Sequence, residues 1–466
     1  MDTLAQTRIR DLFDGCKIKA VSLRTSTVKE RREKLSRLEK WILNHRAEIH
    51  QAVYEDLQKP PQETDLTEVF VILSEIRKAR KELRSWMMPK AAGNSLVFIG
   101  TRAESYPEPK GVCLIISPWN YPFQLAIAPL VSAIAAGNTV IIKPSEFSEH
   151  TSELILKMCN ELFPEEEVAV VTGAVEESKE LLSLPFDHIF FTGSPQVGKI
   201  VMEAASKHLA SVTLELGGKS PTIVDETANI KDAANKIAWG KWLNAGQVCI
   251  APDYLLVHED VKEKLIEELV VQTEKLYGDK RNYAGIISRK HHNRINDLMA
   301  DAIEKGADLE FGGKSDRAGL RFTPTLITNV SMDALVMKEE IFGPILPLLT
   351  YRNLEEAIAT VNSIEKPLAL YVFSKKMKNI NRIKKETTSG MMTINDAVIQ
   401  FGHPNLPMGG VNNSGIGKSH GYHGFLEFSN QKAILRQRIG LTMAKTVYPP
   451  FGKFKSFMID LMVKYF

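Results

Sequence analysis

The chain has 466 residues, 44% hydrophobic and 25% charged, a composition that excludes disordered and fibrous classes. Lys+Arg 59 against Asp+Glu 56 leaves +3, too little for a dedicated nucleic-acid binder, and at ~100–200 residues per domain the length calls for more than one folded unit. The N-terminus shows no apolar secretory core, and no apolar run reaches the ~18 residues of a membrane span. The cysteines Cys16, Cys113, Cys159 and Cys249 are too far apart for a zinc knuckle or a disulfide scaffold. A cytoplasmic protein without a metal is expected.

Residues 27–58 and 64–88 read as helices, because Leu35, Leu38, Trp41 and Ile42 recur at three- and four-residue spacing on one face. From 111 the texture changes. VCLIIS (112–117), TVIIKPS (139–145), VAVVTG (168–173) and HIFFTGS (188–194) are predicted strands, with helices near 123–136, 149–163, 175–183 and 195–208. Four such units in a row demand parallel strands with right-handed crossovers, so a doubly wound α/β sheet is expected, its ligand beyond the strands' carboxyl ends. A second α/β series opens with the strands VTLELGG and PTIVDE, a helix over 231–244, the strand YLLVHE and a helix over 261–276. It continues with PILPLLTY, the helix NLEEAIATVNSI, LALYVFS and MMTIND. Residues 95–110 read as an extended ribbon outside both cores. Beyond Gly452, Phe454, Phe457, Met458, Leu461, Met462 and Tyr465 share a helical face. About 14 residues there give roughly 21 Å, short of a ~30 Å hydrocarbon core.

Several positions stand out chemically. Gly193 to Lys199 spells GxxxxGK, but Ile200 stands where a P-loop needs Ser or Thr for magnesium, and in Asn412–Ser419 an asparagine replaces the first glycine. A P-loop NTPase is the poorer reading. Ser194 as cap and Pro195 at the first helical position still make either an ordinary βα turn or an anion-binding helix start. No GxGxxG follows a strand. Cys113 and Cys159 sit in apolar runs, whereas Cys249, in NAGQVCIAP, lies among small and polar residues and reads as a buried hydrophobe or a nucleophile. Glu215, in a strand running into Gly-Gly, belongs to a wet edge face or is a general base aimed into a cleft. Asn120, set between Pro118 and Pro122, is a turn residue or an amide donor to a developing oxyanion.

The ordered set SPWNYP (117–122), KPSE (143–146), FTGSPQVGK (191–199), LELGGKSP (214–221), GQVC (246–249), EEIFGP (339–344) and LPMGGVNNSGIG (406–417) resembles the NAD(P)-dependent aldehyde dehydrogenase superfamily. The short N-terminus and GQVCIAPDY resemble its class 3 branch, which includes fatty aldehyde dehydrogenases. The resemblance implies a dinucleotide-binding domain of 1–88 and 105–211 and a catalytic domain of 212–405. It adds a β-ribbon oligomerisation element from 89–104 and 406–435, and an amphipathic helix over 447–466. Position by position, Cys249 would be the nucleophile, Glu215 the general base and Asn120 the oxyanion amide. Lys143 and Glu146 would meet the adenosine ribose, Gly193, Ser194 and Gly198 the pyrophosphate, and Glu340, Phe342 and Trp119 the rest of the cofactor. Tyr121 and Trp239 would wall the substrate tunnel, and 409–417 reads as structural. The implied reaction oxidises a medium- or long-chain aliphatic aldehyde to the acid through a thiohemiacetal and a thioester. NAD is expected as cofactor with NADP also accepted, because a carboxylate at Glu146 disfavours the 2′-phosphate. A homodimer is expected, with no nucleic acid partner and with peripheral membrane contact through 452–466. The tail helix is expected to dock on the protein, or to cover the tunnel mouth with its Phe- and Met-rich face. An inactive binding relative would lack Cys249, Glu215 or Asn120, and all are present.

Overall fold

Two parallel sheets carry the chain in the computed structural model, which describes residues 3–93, 98–440 and 442–465. In the first, Val112–Ile116, Thr139–Lys143, Val168–Val170, His188–Thr192 and Ser211–Glu215 run parallel in the order 3-2-1-4-5 along the chain. Gly415–Ile416 adds a short antiparallel edge. Alternation along the strands sorts their side chains to two faces. Leu114, Ile141, Ile189 and Phe191 pack with the helices Thr3–Leu23, Val175–Leu182 and Pro195–Ser206. Cys113, Ile115, Ile142 and Phe190 pack with Val28–Asn44, Phe70–Trp86, Gln124–Ala136 and Glu149–Leu162. Both faces are therefore covered, and the strand runs read as continuously apolar for that reason.

The second sheet has the order Asp308–Phe311, Thr325–Thr328, Ile345–Tyr351, Tyr254–His258, Pro221–Val224, Ala369–Phe373, Met391–Ile394, with only the first strand antiparallel. Several of its elements escaped the sequence reading, among them the strands Asp308–Phe311 and Thr325–Thr328 and the helices Met377–Glu386 and, longest, Arg289–Glu304. That helix buries His292, Ile295, Leu298 and Ala302, too sparse a stripe to stand out among its charges. The N-terminal helix Thr3–Leu23 was missed similarly. Its Ile9, Phe13, Cys16 and Ala20 are buried at helical spacing, but charged residues separate them.

Two expected boundaries move. The strand within VTLELGG does not open the second series but pairs with His188–Thr192 and extends the first sheet, setting Glu215 beside Thr192. The ribbon consists of Lys90–Ala92, Thr101–Pro109 and Ser429–Gln437 in antiparallel order. Its central strand runs unbroken through 105, where a domain start was expected, and residues 94–97 of the expected 89–104 piece lie outside the described residues. The tail departs further. Lys453–Tyr465 is a helix, but none of its residues is buried, and Phe454 and Val463 are 69% and 82% exposed. It packs along the turn Met443–Val447, and Lys455 Nζ donates to the Tyr448 carbonyl at 2.6 Å. The expected docking against the protein core and the expected lid over the tunnel are both absent among the described residues. No helix among them is long and apolar enough to cross a membrane.

Candidate active site

The first strand ends at Ile116, and the chain crosses the topological switch point between Val112–Ile116 and His188–Thr192. Asn120 lies in this crossing, 2% exposed. Its Nδ2 donates to the Gln247 carbonyl at 3.0 Å, and its own carbonyl accepts from Asn244 Nδ2 at 2.8 Å and from Lys59 Nζ at 3.2 Å. Gln247 is fixed in turn. Its Nε2 donates to the Asn244 and Gly285 carbonyls at 3.0 and 2.9 Å, and its Oε1 accepts from the Ile287 N–H at 3.1 Å. Past the helix Ile230–Trp242 the backbone is left-handed at Asn244, Ala245 and Gly246, with φ of 50, 53 and 75°. Glycine is required at 246, because a Cβ there would run into the Gly343 carbonyl. This tight arc delivers Cys249 to the site.

Cys249 is the one cysteine of the four that is not fully buried. It lines two cavities. One, of about 380 Å³, is walled by apolar groups including Tyr121, Leu125, Trp239, Val398 and Phe401. The other, of about 30 Å³, meets Glu215, Thr192, Ser419 and Leu368. Burial, then the Glu340 and Glu215 carboxylates, push the Cys249 thiol well above its ordinary range, while the main-chain N–H groups of Cys249 and Ile250 pull the other way. Glu215 is 5% exposed. Its Oε1 accepts from Ser419 Oγ at 2.8 Å, and its Oε2 has no partner among the described residues. Burial pushes its carboxyl up to about 7 against the pull of Ser419 and Lys418, so near neutrality it is poised to accept a proton. Ser419 belongs to the second near-P-loop. There Lys418 Nζ is spent on the Gly409 and Gly410 carbonyls at 2.7 and 3.0 Å, so the segment supports Glu215 and cradles no phosphate.

On the carboxyl edge of the first sheet, Lys143 is 2% exposed and its Nζ donates to the Pro144 carbonyl at 2.7 Å. Two of its three N–H donors remain, and burial pulls its pKa down. Glu146 lies exposed beside it. After the fourth strand, Ser194 Oγ caps the helix Pro195–Ser206 by accepting from the Val197 N–H at 3.4 Å. Gly198 brings this helix against the sheet, since a Cβ would stand 2.8 Å from Leu216 Cδ2, and a Cβ at Gly193 would enter the Phe191 ring. The 339–344 loop is anchored from below. Buried Lys219 pairs with Asp253 and donates to the Val336 carbonyl at 2.6 Å, and Asp253 Oδ1 accepts from the Ile341 N–H at 2.9 Å. Glu340 occupies the space a Cβ on Gly217 would need, and burial, reinforced by Asp253, pushes its carboxyl up to about 8. Phe342 meets Trp119 edge-on at 5.3 Å, and His291 meets Trp119 at 4.7 Å. A buried ammonium with donors to spare, a capped helix N-terminus and a glycine approach along one sheet edge suit the hydroxyls and phosphates of a dinucleotide.

The model of the aldehyde dehydrogenase family matches residues 5–434. The chain belongs to that family. Among its relatives, aldehyde dehydrogenase family 3 member A2 of Mus musculus is 41% identical over 93% of this chain and 89% of its own length. The 4,4'-diaponeurosporen-aldehyde dehydrogenase of Staphylococcus aureus is 44% identical over 92% and 94%. The structure of the substrate-bound state of S. aureus AldH superposes with a TM-score of 0.94 at 42% identity, covering 98% of this chain and 99% of that one. The NADP complex of glyceraldehyde-3-phosphate dehydrogenase GapN from Methanocaldococcus jannaschii superposes with a TM-score of 0.85 at 26% identity, covering 94% and 96%. The protein is thus an NAD(P)-dependent aldehyde dehydrogenase of the class 3 branch.

Of the singled-out positions, Tyr121 and Trp239 share the apolar cavity with Cys249, and Glu215 shares the small one. Other members of the site were missed: Ser419, which holds Glu215; Asn244 and Gln247, which hold Asn120; and Lys59 beneath it. Gln247 lies inside the GQVC motif and Asn244 two residues before it, so both were within reach of the sequence. Lys59, before two prolines at a helix end, carries no local signal.

Proposed function

We propose that the protein oxidises medium- to long-chain aliphatic aldehydes through a covalent intermediate on Cys249. One observation carries this reading: Cys249 forms the wall shared by an apolar cavity of about 380 Å³ and a second, small one that Glu215 lines. An apolar chain fills the first, which brings its carbonyl carbon to the sulfur. Cys249 gives its thiol proton to Glu215 across the small cavity that both line, Glu215 releases it to solvent, and Cys249 Sγ adds to that carbon. The developing oxyanion takes the N–H of Asn120 not spent on Gln247, together with a main-chain N–H at Cys249 or Ile250. The nicotinamide, when bound, supplies the hydride acceptor that turns this thiohemiacetal into a thioester. Glu215 then takes a proton from water in the small cavity, which is roomy enough for one, and hydrolysis frees the acid.

Lys143 and Glu146 hold the adenosine ribose, Gly193, Ser194 and Gly198 the pyrophosphate, and Glu340, Phe342 and Trp119 the nicotinamide half. NAD is preferred and NADP accepted, since Glu146 repels a 2′-phosphate while Lys143 beside it tempers the repulsion. The open edge of the ribbon strand Ser429–Gln437 supports a homodimer built by strand addition. The exposed Phe454, Phe457 and Val463 support peripheral lipid contact by the tail. The test is kcat/KM for unbranched aldehydes from two to twelve carbons with NAD. A rise with chain length is expected, and a flat or falling profile contradicts the assignment of the apolar cavity to the substrate chain.

A further inference from the structure

Beneath Asn120 lies an ion pair that the proposed mechanism does not use. Lys59 and Glu68 meet at 2.7 Å with both side chains 0% exposed. Beyond each other, their partners sit on one short segment. Lys59 Nζ donates to the Asn120 carbonyl at 3.2 Å and stands 4.1 Å from the centre of the Tyr121 ring. Glu68 Oε2 accepts from the Phe123 and Gln124 N–H groups at 2.9 and 3.1 Å. Glu68 reaches this position from the π-helical turn Asp65–Val69, a departure from α geometry of the kind found at functional sites.

A buried ion pair adds little stability over an apolar pair of the same volume. What it does provide is fixed donors and acceptors. The crossing between Ile116 and Gln124 has no ladder to hold it, and the N–H groups of Phe123 and Gln124 are orphans of a helix start. The Asn120 carbonyl is also the point reached by Asn244 Nδ2, so the segment and the Cys249 arc are registered through it.

We propose that Lys59 and Glu68 are positioning residues for Asn120, fixing the peptide that aims its amide at the reacting oxygen. The inference rests on the reading of Asn120 given above. The test is a double-mutant cycle on the full chain, pairing Lys59→Met with Glu68→Gln in the native and Asn120→Ala backgrounds. It reads single-turnover NADH formation with decanal, and NAD affinity by fluorescence quenching. With native Asn120 the paired change should slow turnover about 10–100-fold, the cost of misplacing a reacting group by about an ångström. In the Asn120→Ala background it should slow turnover less than about threefold, as coupled sites do, with NAD affinity unchanged in both. Native turnover in the folded paired variant, or equal slowing in the two backgrounds, overturns the proposal and leaves the role of Asn120 standing. Should Asn120→Ala alone leave turnover unchanged, the reading of Asn120 falls first. Where the paired change prevents folding, Lys59→Met alone carries the cycle, because it removes the donor to the Asn120 carbonyl while Glu68 still accepts from Phe123 and Gln124. The same outcomes decide it.

Discussion

At the scale of single residues, the proposed chemistry depends on a fixed amide, Asn120, and on a buried carboxyl, Glu215, pushed up to about 7. Removing the Asn120 amide deletes one oxyanion donor, and Asn120→Ala should lower kcat about 10²–10³-fold wherever acylation limits the rate; an unchanged acylation rate contradicts the assignment. Glu215 must be ionised to accept a proton, and its carboxyl sits at about 7. The rate of thioester hydrolysis should therefore fall about tenfold per pH unit below 7 and level off above it, measured by rapid mixing of a preformed acyl-enzyme. Cys249, Glu215 and Asn120 could be singled out from the sequence because each lies within a short motif of the family pattern. Ser419 and Lys59 were not, because their partners Glu215 and Asn120 lie 204 and 61 positions away. No local pattern reports a bond across such a distance.

At the scale of elements, the helix Pro195–Ser206 is set by close approach. Gly198→Val would push it from Leu216 and tilt its N-terminus, so KM for the dinucleotide should rise while the aldehyde KM at saturating NAD stays within about twofold. The tail makes a contrasting case. Its face was legible from spacing alone, but where that face points was not, because amphipathicity names a stripe and not its partner. Since the tail is not among the groups walling the apolar cavity at Cys249, removing 451–466 should leave kcat/KM for hexanal and decanal unchanged. It should also reduce sedimentation with phospholipid vesicles. A selective loss of decanal turnover would return the tail to the tunnel mouth. The strands of the first sheet were the easiest elements to read, being apolar on both faces. The strand Ser211–Glu215 was assigned to the wrong sheet because nothing in a strand's own residues names its neighbour.

For the whole molecule, function is built at a cost in stability. The Glu215 carboxyl is pushed up to about 7 and that of Glu340 to about 8, against an ordinary value of 4.5, with burial the largest cause in each case. The folded state thus binds these protons more tightly than the unfolded chain. Their contribution to stability is full below pH 4.5 and is lost as pH rises through 7 to 8. Glu215→Gln removes one such loss, so its Tm should match or fall below the native value at pH 5 and exceed it at pH 8, by circular dichroism. Equal shifts at both pH values would contradict the buried, raised carboxyl.

The central claim is that an acyl group resides on Cys249. Glu215→Gln should form the thioester and fail to hydrolyse it. Acid-quenching this variant with decanal and NAD, followed by peptide mass spectrometry, should find a decanoyl adduct on the peptide containing Cys249, in step with a stoichiometric burst of NADH. A burst of NADH without that adduct, or a burst that persists in Cys249→Ala, would contradict it.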